Sequence, residues 1–180
     1  MNLDLAAFRR FFEEARGFPP FAWQERLVEH VLREGAWPRA IAAPTGTGKT
    51  SVIHVHAFLN AVAQETGLRV PRRLVMTGNR RSLADEHARE AEELARHLEQ
   101  APQGSVSEQV AARLRGRAAS GGKERPPLLV YTVRGGMPIV RDWRESPSAC
   151  AVLCMTPDMW GSRALFRGYG TSRWARPVEA

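Results

Sequence analysis

One stretch constrains this chain more than any other: Ala43-Pro44-Thr45-Gly46-Thr47-Gly48-Lys49-Thr50. Gly46 and Gly48 let the backbone curl with its N–H groups turned inward, a concavity suited to phosphate oxygens that side chains would obstruct. The apolar run Ala40-Ile41-Ala42 predicts a short buried strand before the turn, and Ser51 to Ala63 predicts a helix after it. Strand, glycine turn and helix are the context a phosphate loop requires, and the helix N-terminus adds partial positive charge. The pattern predicts an ATP site held by Thr45, Gly46, Thr47, Gly48, Lys49, Thr50 and Ser51. Lys49 would reach the terminal phosphates and the Thr50 hydroxyl would take one position on Mg²⁺.

Of 26 basic residues only Lys49 and Lys123 are lysines, so a lysine at this place in an arginine-writing chain is hard to call accidental. The 180 residues are enough for one domain with a core, and 43% hydrophobic against 25% charged residues describes a globular chain. A formal net charge of +7 favours a polyanionic partner such as nucleic acid; an arginine-rich genome composition would give the same count.

Cys150 and Cys154 fall in an apolar run with no third cysteine to complete a metal site, and their spacing on a strand is too long for a disulfide. They are expected as buried thiols in a reducing compartment. No apolar segment approaches the roughly 20 residues a bilayer span needs. Acidic residues among the first fourteen positions do not suit a signal peptide, so a soluble cytoplasmic protein with no membrane partner is expected.

Residues 1–36 read as two helices, from Leu3 to Arg16 ended by Gly17, and from about Phe21 to Arg33 closed by Gly35. Gln24 in the second carries a primary amide that can donate and accept at once, as an adenine edge requires. Residues 37–180 read as alternating strands and helices. After a stop at Thr66-Gly67, Leu74-Val75-Met76 suits a buried parallel strand ending at Asn79-Arg80-Arg81. A long helix from Leu83 to Gln100 should line up Leu83, His87, Ala91, Leu94 and Leu98 along one side.

Glu108 to Arg117 is a possible short helix, Leu128 to Val133 a third strand ending at Arg134-Gly135-Gly136, and Ala149 to Met155 a fourth. Ligands of such sheets bind beyond the carboxyl ends of the strands, so Asn79, Arg80 and Arg81 are candidate nucleic-acid contacts, with Arg134 in a similar glycine turn. Asp85-Glu86-His87 imitates a helicase carboxylate box, but no apolar strand precedes it, and both carboxylates are expected as first-turn helix charges. His54 and His56, two apart on a helix, make a poor metal pair.

The phosphate loop with Gln24 upstream resembles the Walker A and Q motifs of superfamily 2 helicases. Pro20-Phe21-Ala22-Trp23-Gln24, Ala43 to Thr50, Arg80-Arg81, Arg134-Gly135-Gly136, Thr156-x-Asp158-Met159 and Ser162-Arg163-x-Leu165-Phe166-Arg167-Gly168-Tyr169-Gly170 together resemble the helicase-nuclease of type I CRISPR systems, in the subtype formerly called U and now G. The resemblance implies a three-layer α/β P-loop NTPase (RecA-like) lobe with a mainly parallel sheet, incomplete at its C-terminus. It implies ATP and Mg²⁺ as cofactors and ATP-driven translocation on single-stranded DNA in antiviral defence.

It further implies recruitment by a guide-RNA surveillance complex, with the second lobe and an HD nuclease domain outside this chain. Arg80 and Arg81 would belong to motif Ia, and Thr156 and Asp158 to motif Ib, both contacting the tracked strand, with Arg163 of the family segment a further candidate nucleic-acid contact. Asn79 stands where the family commonly has Asp, and Met155 where it tends to have Gly. The carboxylate box would follow the last residues seen here, so this part alone is expected to bind ATP weakly and hydrolyse it barely. Two other classes fit some of the same residues. One is a non-enzymatic basic nucleic-acid or protein-interaction module derived from such a lobe. The other is a small phosphate-loop kinase, for which neither substrate lid nor Mg²⁺ carboxylate is found.

Overall fold

The computed structural model describes residues 3–118, 125–133 and 148–164, with side chains through Gly161. In chain order the elements are α1 (Leu5–Arg16), α2 (Ala22–Glu34), a 3₁₀ turn (Lys49–Ser51) running into α3 (Val52–Thr66), β1 (Arg73–Thr77), α4 (Arg81–Glu99), α5 (Val106–Ala118), β2 (Leu129–Val133), β3 (Ala151–Met155) and α6 (Pro157–Ala164). The Asp4 carboxylate accepts from the Ala7 N–H at 2.9 Å and starts α1. Gly17, Gly35 and Gly67 end α1, α2 and α3 in the left-handed conformation, at the stops the sequence marks.

The sheet is parallel throughout and ordered β1-β3-β2, with Arg73 opposite Ala151 and Leu129 opposite the same residue on the other side. β3 lies between two strands and all five of its residues are buried. β1 is an edge strand and its ends are exposed. Side chains alternate across the sheet. Leu74, Met76, Val130, Val152 and Cys154 face the core shared with α1 to α5, while Tyr131, Val133, Leu153 and Met155 face the other way, where Met159 of α6 joins them. The chain is therefore a mixed α/β fold on a small parallel sheet.

The core is centred on α3, in which every residue from Ile53 through Ala63 is buried. A helix apolar almost all round must be enclosed on all sides. α2 and α5 pack along α3, α1 touches it too, and α4 lies across the sheet. The apolar payload is aromatic: Phe8 and Phe11 of α1 meet Phe58 of α3, and Phe12 packs against Phe8, all four fully buried. The two cysteines lie in this core as free thiols, and burial pushes both up to about 12, which leaves them unreactive at neutral pH.

Four expectations are corrected. Ala40-Ile41-Ala42 forms no strand, and Ile41 is 42% exposed. A strand exists only by pairing, and the described sheet stops at β1 and β2 without reaching this segment. α4 begins at Arg81, so its buried side runs through Ala84, Ala88, Ala91, Leu94 and Leu98, and Leu83 is exposed. Asp85 and Glu86 consequently sit in the second turn of α4 rather than the first. α5 starts two residues earlier than its composition suggests, because a carboxylate from α1 caps it. Glu14 accepts from the Val106 N–H at 3.1 Å, the Ser107 N–H at 2.7 Å and the Ser107 hydroxyl at 2.6 Å.

Candidate functional site

The glycine loop has the backbone form its sequence demands. Gly46 and Gly48 stand at φ 77° and 64°, where an L side chain is strained. Gly48 has a second reason: a Cβ there would lie 3.3 Å from the Phe21 ring and 3.6 Å from the Gln24 amide nitrogen. Thr47 braces the turn by donating its hydroxyl to the Pro44 carbonyl at 2.8 Å, and the Ser51 N–H donates to the Gly48 carbonyl at 3.0 Å. Lys49 is exposed, Thr50 half-buried and Ser51 buried, so the cation and the first hydroxyl stand clear of the core.

The loop is held from below by the first turn of α2. The indole N–H of Trp23 donates to the Thr47 carbonyl at 2.8 Å, and the Gln24 amide donates to the Gly48 carbonyl at 3.3 Å. The Gln24 oxygen accepts from the Phe21 N–H at 2.9 Å, half of a capping box, and the side chain is fully buried. Both polar ends of this amide thus bond within the protein, which gives Gln24 a loop-anchoring role and leaves no exposed amide edge for the adenine contact expected of it. Sequence reasoning missed Trp23 as a contributor; its one signal is an indole donor adjacent to the glutamine. Trp23→Phe keeps the ring and removes the donor, and should cost about 1 kcal/mol. Faster amide exchange across residues 46–48 would report the loosened loop, and unchanged protection would show that Trp23 does not hold it.

A polar hub lies behind the loop. Glu90 of α4 accepts from the Ser51 hydroxyl at 3.2 Å and pairs with Arg16 of α1 at 3.1 Å, with His54 Nδ1 at 3.9 Å. Its side chain is 16% exposed. His54 does not answer this carboxylate as a cation, because burial first, and then the charges of Arg16 and His97, bring it down to about 3. Glu90 therefore ties three helices to the residue that follows Thr50.

At the carboxyl edge of the sheet, Asn79, Arg80 and Arg81 are exposed where β1 turns into α4. Gly78 permits that turn: a Cβ there would sit 2.8 Å from the Leu83 Cβ. The Gly78 N–H donates to the Met155 carbonyl at 3.2 Å, which brings the end of β1 against the end of β3, where Thr156 and Asp158 stand. A hydrogen bond from Thr156 holds the Asp158 carboxyl below the usual carboxylate range, with the N–H groups of 158 and 159 and the charge of Arg81 acting the same way. Five of the seven candidate contacts are thus placed on two neighbouring strand ends. Arg134 and the Arg163 side chain lie outside the described residues, as does the segment from Leu165 to Gly170.

Among the described residues no group of three or more His, Cys, Asp or Glu side chains could hold a metal, and His54 and His56 are both buried within α3. No described helix is long and apolar enough to cross a membrane. No family model, curated protein or solved structure matches the chain.

Proposed function

We propose that this chain is the ATP-binding N-terminal portion of an ATP-dependent superfamily 2 DNA helicase acting in CRISPR antiviral defence. The observation that carries the reading is the loop at 43–50: two left-handed glycines opening directly into α3, with the backbone clamped by Trp23 and Gln24. The residues fit a nucleotide triphosphate. The glycines leave room for phosphate, Lys49 is exposed to meet it, and the Thr50 hydroxyl is a donor set of one for Mg²⁺. Bound Mg²⁺ would offset charge on the phosphates. With no helicase carboxylate box identified among these residues, binding without efficient hydrolysis is their expected behaviour.

α4 supplies the link from nucleotide to DNA. It begins at Arg81 on the carboxyl edge and carries Glu90 nine residues on, roughly 13 Å along the axis. Glu90 bonds Ser51, so a shift of the loop would be felt along α4 at the arginines proposed to grip single-stranded DNA. The second lobe, the HD nuclease domain and the guide-RNA surveillance complex belong to the same proposal and lie outside these residues.

Calorimetric titration with Mg–ATP tests the reading. Lys49→Ala removes a charge-assisted contact of about 1.5–3 kcal/mol and should weaken binding roughly 10- to 100-fold. Binding indifferent to Lys49, or none at millimolar nucleotide, would sink it. The segment before the loop, which pairs with no described strand, favours a second reading, in which the chain is a non-enzymatic basic module. That reading expects salt-sensitive DNA binding that Lys49→Ala leaves unchanged.

A further inference from the structure

An open cleft of about 580 Å³ lies far from the phosphate loop, bordered by Gln64, Gly67, Leu68, Arg69, Pro71, Arg72 and Arg117. α3 separates the two. Its 15 residues make about 22 Å of helix, with the loop at its N-terminus and the cleft at its C-terminal end. Arg72 directly precedes β1, so the cleft opens at the amino edge of the sheet, opposite Asn79 to Arg81.

The cleft is built rather than incidental. Asn60, fully buried, donates to the Pro71 carbonyl at 3.1 Å and fixes the segment that leads into β1. Arg72 accepts there from the Ala151 N–H at 2.9 Å through its carbonyl, leaving its side chain exposed. Arg117 donates one guanidinium nitrogen to the Asn60 carbonyl at 3.3 Å, while its Nε is buried without a partner. Burial, and then the neighbouring charge of Arg72, lower the pKa of Arg117, so two guanidiniums share this wall against their mutual repulsion.

The bland account is that arginines gather at the C-terminal ends of α3 and α5 to answer the helix dipoles. Each dipole end amounts to about half an elementary charge. Three guanidiniums against two such ends leave roughly two positive charges unanswered among the described residues. Glu65, the acidic residue of this end of α3, is already paired with Arg113 at 2.7 Å.

We propose that the Arg69–Arg72–Arg117 cleft binds the phosphodiester backbone of a nucleic-acid strand, as a second contact site at the edge of the sheet opposite the one assigned to the tracked strand. Its described lining has no aromatic ring on which a base would stack, so it reads charge and not sequence. An open trough bordered by three spaced cations suits a continuous chain of phosphates better than one enclosed phosphate group. The inference uses none of the residues of the ATP reading and stands apart from it.

Fluorescence anisotropy of the full chain with a labelled 20-nucleotide oligothymidine, titrated from about 50 to 200 mM salt, tests the site. Arg69→Ala/Arg72→Ala removes two exposed side chains and should leave the melting temperature in place. It should weaken binding about 10-fold at the low-salt end and flatten the slope of log K against log salt by about 1.4, the share of two phosphates. Oligonucleotide should also shift the amide resonances of residues 67–70 in the unaltered protein. Unchanged affinity and slope in the double variant, or silent amides, would overturn the proposal. So would saturation of the cleft by micromolar inorganic pyrophosphate that oligothymidine cannot displace. Arg80→Ala/Arg81→Ala supplies the other arm: if that variant binds normally while Arg69→Ala/Arg72→Ala does not, the amino-edge site stands and the carboxyl-edge assignment fails.

Discussion

Acidification from pH 7 to pH 5 should strip this protein of a large part of its stability. His54 and His56 are each 2% exposed, and both titrate far below the ordinary histidine range. Burial brings His54 down to about 3 and His56 to about 4, nearby arginine charge adding in both cases. The unfolded chain takes up protons near pH 6.5 that the folded chain refuses, so stability is complete above that value and falls as the pH drops toward 4. Each histidine contributes a slope of about 1.4 kcal/mol per pH unit, and the two together about 3. Urea unfolding between pH 7 and 5 measures this above the range where carboxylates titrate. His54→Gln should lower the slope by about 1.4 kcal/mol per pH unit. A flat profile, or native His54 and His56 imidazole resonances titrating near pH 6.5, would contradict the burial that causes it.

Phe58→Ala should cost about 3–5 kcal/mol, out of the 5–15 kcal/mol that holds a domain of this kind. The ring is fully buried, edge-on to Phe8 at 5.3 Å and stacked on Phe11 at 5.9 Å. The loss has consequences beyond the cavity, because α1 docks on α3 through these rings and α1 also carries Glu14 and Arg16. Undocking it removes the cap of α5 and one partner of Glu90, and with it a support of Ser51 behind the loop. Phe58→Leu keeps most of the buried carbon and should lose less. Denaturant titration distinguishes them, and a loss under 1 kcal/mol for Phe58→Ala would mean that the aromatic contacts do not fasten α1.

Most helices were legible because their signals are local. Asp4 and Gly17 delimit α1, Gly35 closes α2 and Gly67 closes α3, each by a property of its own side chain or of lacking one. The three described strands were legible as short apolar runs. Ala40-Ile41-Ala42 has the same composition without forming a strand, because composition does not supply a neighbouring strand. The start of α5 is not legible locally, because its cap, Glu14, lies about ninety residues away in sequence.

The candidate site divides along the same line. By itself the sequence determined the loop from Ala43 to Thr50, the glycines at its bends, the lysine and hydroxyl at its exit, and the arginines that follow β1. These are local chemistry, fixed by which residue types can occupy a turn or end a strand. Tertiary structure alone decided that Trp23 and Gln24 clamp that loop, that Glu90 joins it to Arg16 and α4, and that Arg117 comes beside Arg72 in a cleft at the far end of α3. Each of these pairs residues distant in the chain, and only packing around a fully enclosed α3 brings them within reach of a hydrogen bond or a shared charge.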